Sequence, residues 1–213
     1  MTMVTSTTSD STEARSDKDD SVSAREAEWK ELVESGMNAF EKERYTVAEI
    51  SFKSALELAE KVVEEFKGEG ADESKVASEA ASKQELDEAR VRLAKSLNNL
   101  AALYHVQGKY GLAEELYEKC LDLKLDMYGE EHIEVAINLH NLGVLHSAKR
   151  KFPKAELLYK RAIEIREKLL GADHKELIPV LKNYALLLKK TNRADESAAV
   201  EARVADMEGK QSD

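Results

Sequence analysis

The residues that could do chemistry in this chain are five histidines and one cysteine, set against a scarcity of glycine, nine in 213 residues. His105, His140 and His146 show neither the i, i+4 spacing of a zinc-binding helix face nor a His-Glu-x-x-His motif. His132 and His174 each follow a glycine, Gly129 and Gly171, at a matching place in the chain, since 174 − 132 = 42, which reads as a helix entry. Cys120 occupies the place that Ala162 takes 42 residues later, so it reads as a small core residue. No Gly-x-Ser-x-Gly elbow and no phosphate-cradling glycine loop occurs. This pattern predicts no catalytic set, no metal and no cofactor. Asn99, Asn141 and Asn183 are a different case, recurring once per 42 residues. An amide both donates and accepts, so such a ladder can grip the main chain of an extended peptide whatever its side chains. The same amides can instead bridge neighbouring helices, and both uses stand open.

The elements that position these residues repeat. Leu97-Asn-Asn-Leu-Ala-Ala-Leu-Tyr104 returns as Leu139-His-Asn-Leu-Gly-Val-Leu-His146 and as Leu181-Lys-Asn-Tyr-Ala-Leu-Leu-Leu188, with 139 − 97 = 42 and 181 − 139 = 42. Ala113-Glu-Glu-Leu-Tyr117 returns as Ala155-Glu-Leu-Leu-Tyr159 at the same step. A fixed period of this size, with helical patterning inside it and no strand signal, implies stacked pairs of antiparallel helices. Small residues recur where helices would cross most closely: Ala101, Gly143 and Ala185, then Ala113 and Ala155. A larger side chain there would cost about 1–3 kcal/mol by overpacking.

These blocks resemble the tetratricopeptide pattern, and the long period, the Leu-x-Asn-Leu core and the linkers Gly129-Glu-Glu-His132 and Gly171-Ala-Asp-His174 resemble its kinesin light chain variety. That variety usually has Pro after the His, where Ile133 and Lys175 stand here. The resemblance implies an all-α, right-handed solenoid of about four helix pairs, in which the first helix of each pair lines the concave side. On that inner wall it places Lys95, Asn98, Asn99 and His105, then His140 and Asn141, then Lys182, Asn183 and Lys189. The cations gather toward the C-terminal end of this groove, which favours a protein or peptide partner with an acidic segment.

Composition narrows the classes further. A net charge of −10 argues against nucleic acid or an anionic membrane surface as the ligand. A single cysteine excludes an internal disulfide, and the N-terminus lacks the order of a secretory signal, so a cytoplasmic location is expected. The expected organisation is a disordered Ser/Thr/Asp-rich tail over 1–22, a divergent first repeat over 23–67 opened by a capping box at Ser23 and Glu26, and an inserted helical extension over 68–94. Repeats follow over 95–128, 129–170 and 171–207, the last decaying into a polar cap, with a second disordered tail over 208–213. The function expected is a non-catalytic adaptor that holds an extended peptide or partner helix in its groove. A self-associating scaffold is the alternative. A co-chaperone clamping a C-terminal carboxylate ranks lower, because Val33 and Met37 stand on the inner wall of repeat one, and an enzyme ranks lowest.

Overall fold

The computed structural model describes residues 9–68 and 76–210, with side chains described over 23–66 and 83–210. Residues 1–8 and 211–213 of the expected tails, and residues 69–75 of the expected extension, lie outside these limits. The chain divides into two compact units, residues 1–96 and 97–213.

The first unit holds α1 (Ser9–Glu41), α2 (Tyr45–Gly68) and the N-terminal part of α3 (Val76–Val106). The helical backbone of α1 begins ahead of Ser23, the expected start, because Glu13-Ala14-Arg15 and the residues after it are helix-compatible and no Gly or Pro interrupts them. Trp29, Ala55 and Ala59 form a buried cluster with Leu32, Val33, Leu58 and Leu93 around it. Val62, Val63 and Ala89 extend it. The indole Nε1 of Trp29 donates to Ser96 Oγ at 2.8 Å, and Ser96 in turn donates to the Ala55 carbonyl at 3.4 Å, so two polar groups enter this core already paired. Gly36 lies flat against the Phe52 ring, where an added Cβ would fall 2.4 Å from a ring carbon.

The second unit runs from Leu97 in α3 through α4 (Tyr110–Tyr128), α5 (Ile133–Ala148), α6 (Phe152–Leu170), a short 3-10 turn (Lys175–Leu177), α7 (Ile178–Lys190) and α8 (Ala194–Gly209). No strand occurs among the described residues, and the class is all-α, as the period implied. Helices α5 with α6 and α7 with α8 form pairs, α4 packs on α5, and α6 packs on α7. One core cluster joins Ala155, Tyr159 and Ala162 of α6 to Val180 and Leu187 of α7. Gly143 repeats the relationship of Gly36 and Phe52: its added Cβ would fall 2.6 Å from Tyr159. Ser197 is fully buried and donates to the Ala185 carbonyl at 2.9 Å, while Val204 and Met207 are core residues.

The turns are as regular as the helices. Gly108, Arg150 and Asn192 take left-handed backbone angles (φ 72°, 58° and 60°) between the two helices of successive pairs. The next residue donates its N–H back into the first helix, as in Lys109 to Tyr104, Lys151 to His146 and Arg193 to Leu188. Between pairs, Gly129 (φ 75°, ψ 178°) and Gly171 (φ 93°, ψ 156°) occupy a region of backbone space that is essentially glycine's alone.

Candidate functional site

His132 and His174 sit directly after those glycine joints, in extended backbone. The Nδ1 of each accepts from a backbone N–H two residues on, Glu134 at 3.2 Å and Glu176 at 3.3 Å. These imidazoles replace the usual Ser or Asp as helix N-caps. The ring of His132 also stacks on Tyr128, 4.3 Å between centroids. Cys120 is fully buried, and burial pushes its thiol pKa up.

The wall formed by α3 from Leu97, α5 and α7 carries eight of the nine residues expected to bind. Asn141 Nδ2 donates to Asn98 Oδ1 at 2.8 Å. Asn183 Nδ2 lies 2.8 Å from His140 Nε2. Each bond joins residues 43 apart, one beyond the period. Asn141 and Asn183 thus bridge neighbouring helices, and Asn98, Asn141, His140 and Asn183 are all half-buried. Because the Asn183 amide is the donor, His140 accepts at Nε2 and carries its proton on Nδ1. Burial, with the Arg166 guanidinium nearby, holds its pKa down at about 4, so the ring is a neutral acceptor.

Lys182 and Lys189 are exposed and engaged with the last helix, Lys182 with Glu208 at 2.7 Å and Lys189 with Glu201 at 2.5 Å. Asn99 is half-buried and without a hydrogen-bond partner among the described residues. His105 is half-buried, 5.8 Å from the Tyr110 ring, and burial lowers its pKa. Lys95 is exposed and belongs to the first unit. Beside these lie an exposed Lys190 and Leu186, whose side chain is 52% exposed.

Polar groups that sequence reasoning passed over lie deeper. Glu114 is bonded by Lys149 and has Lys154, Lys151 and His146 within 3.6–3.7 Å. The Lys149 ammonium, and the other cations after it, hold the Glu114 carboxyl below its ordinary pKa. The run Lys149-Arg150-Lys151 with Lys154 is the signal that could have revealed it. His146 stands where Tyr104 and Leu188 stand in the flanking repeats. It is fully buried, and neither ring nitrogen has a hydrogen-bond partner among the described residues. Lys124, 5% exposed, reaches both the carboxylate and the carbonyl of Glu134. No group of three His, Cys, Asp or Glu among the described residues could hold a metal ion. No described helix is long and apolar enough to cross a membrane. What the wall offers is hydrogen bonding, apolar contact and charge.

The comparisons with known proteins agree on the fold. The tetratricopeptide repeat family model matches residues 92–168. Similar solved structures include BtubC (BKLC) from P. vanneervenii, 18% identical with a TM-score of 0.53 over 89% of this chain and 92% of that one. A putative kinesin light chain of Podosopora anserina, with nearly identical TPR-like repeats, is also 18% identical, with a TM-score of 0.53 over 89% of this chain and 97% of that one. The apo form of RapI reaches the same TM-score of 0.53 at 16% identity, over 87% and 72% of the two chains. No curated protein sequence matches the chain significantly. Identities this low speak for the fold alone, a fold that serves contacts between proteins in many settings. Residues 92–168 thus match the tetratricopeptide repeat model, and the chain has the fold of solved kinesin light chain repeat structures.

Proposed function

We propose that the chain is a non-catalytic adaptor that holds an extended peptide or a partner helix against the wall of α3, α5 and α7. The observation that carries this reading is the pair of side-chain bonds, Asn98 to Asn141 and His140 to Asn183, that fasten three successive first helices to one another. A wall fixed before the ligand arrives spares the ordering cost that weakens association. Asn99, Leu186 and Lys190 are the groups on it that remain available for contact. Lys182 and Lys189 can trade their exposed glutamate partners for a ligand's carboxylates at little cost, because surface pairs are worth about 0–1 kcal/mol. An acidic segment in the partner and a cytoplasmic setting belong to this reading.

The test is capture of partners by the immobilised full-length chain, followed by titration calorimetry of the captured partner against wild type and against Asn99→Ala combined with Lys190→Glu. The double variant is expected to lose at least about tenfold in affinity, about 1.4 kcal/mol, with unchanged helix content and melting. Unchanged affinity would move the contact off this wall and overturn the proposal.

A further inference from the structure

A groove of about 310 Å3 opens between α7 and α8, with Ala185, Leu186, Val204 and Ala205 along its floor. One period earlier, the corresponding surface of α5 and α6 is covered by the next helix pair. There Tyr159 meets the Tyr184 ring at 6.5 Å, and Arg166 donates to the Glu176 carbonyl. At the positions 42 residues after Tyr159 and Arg166 stand Glu201 and Glu208, each tied across the groove to a lysine of α7. The last pair thus keeps the apolar floor of a stacking face and gives it a charged rim.

The layout of that rim identifies what fits it. Lys182 meets Glu208 at one end and Lys189 meets Glu201 at the other, so the cations all lie on the α7 side and the anions all on the α8 side. A two-fold axis lying in the face and parallel to the helices would set each α7 over the α8 of a second copy. Lys182 then meets the second copy's Glu208, Lys189 meets its Glu201, and the 52% exposed Leu186 enters the groove lined by its Val204 and Ala205. Such self-complementarity is what an isologous interface requires. The four rim side chains are about half exposed, so exchanging an internal partner for an intermolecular one costs little. We propose that two copies of this chain pair through the α7/α8 face, each supplying the acidic rim for the other's lysines. It shares Lys182, Leu186 and Lys189 with the wall of the adaptor reading, so a second copy and a ligand would compete there, but it needs neither Asn99 nor the bonds along the wall.

Sedimentation velocity of the full chain over a micromolar to millimolar series is expected to show a monomer–dimer equilibrium. Leu186→Glu should raise the dissociation constant at least about tenfold, with the helical circular dichroism retained. Lys182→Glu with Lys189→Glu in one protein, and Glu201→Lys with Glu208→Lys in another, should each sediment as monomers alone and form a dimer when mixed. A wild-type monomer at every concentration, a dimer indifferent to Leu186→Glu, or charge-reversed partners that stay monomeric on mixing would overturn the proposal.

Discussion

Asn183 donates its side-chain amide to Nε2 of His140 across 2.8 Å, which holds a histidine of the wall as a neutral acceptor between α5 and α7. Folding lowers the pKa of that ring from 6.5 to about 4, so between these values the unfolded chain binds the proton and the folded chain does not. The stability this group contributes is therefore complete above about pH 6.5 and is lost as the pH falls toward 4. Its size is at most about 3 kcal/mol. His105 and His146 are lowered by burial too and act in the same direction. Urea unfolding at a series of pH values should show the decline, and His140→Asn should flatten part of it, since Asn98 already accepts an amide at the equivalent place one period earlier. An unaltered slope in that variant would remove His140 as a source.

Gly129 and Gly171 meet open space where a Cβ would be added, so their role is purely one of backbone angle. Gly129→Ala is expected to cost about 1–3 kcal/mol although nothing clashes. Arg150, in left-handed backbone without glycine's freedom, is the converse, and Arg150→Gly should raise stability by about 1 kcal/mol. Chemical denaturation of the two variants beside wild type measures both signs.

Gly143→Ala tests contact instead. Its Cβ would meet the buried Tyr159 ring at 2.6 Å, and that ring is fixed by Ala155, Val180 and Leu187 around it. A loss of about 1–3 kcal/mol is expected from overpacking. Pairing the variant with Tyr159→Leu should recover part of the loss, as a double-mutant cycle would show.

His146→Leu should stabilise the protein by about 1 kcal/mol, because it removes two ring nitrogens that are buried without hydrogen bonds. Leu188 shows that leucine fits the same place one repeat later. The midpoint of thermal or urea unfolding is the readout, and a fall would mean that the Glu114 carboxylate, 3.7 Å away, draws more from this ring than its geometry suggests.

Much of the architecture was legible because stacking demands the same residue at the same step. The joints at Gly129 and Gly171, the histidine caps and the small residues beneath aromatic rings all announce themselves by recurrence. The partners of the wall residues did not. Asn141 bonds Asn98 and not Asn99 because neighbouring helices are offset by one residue, and a repeat length carries no record of that offset. Lys182 and Lys189 promised an open basic patch, whereas the glutamates that hold them come from α8, where the repeated pattern gives way. Ser197 is polar where Ala155 stands one period earlier, and a repeat length carries no record of the Ala185 carbonyl that satisfies it inside the core.

The stretch from Gly129 to Leu170 holds its own joint, its own helix cap, its own hairpin turn and both halves of a fastening to its neighbours. A duplicate spliced in after Leu170 would present its asparagine to the original His140 and offer its own imidazole to Asn183. The chain could thus be lengthened by whole modules without redesigning a single seam.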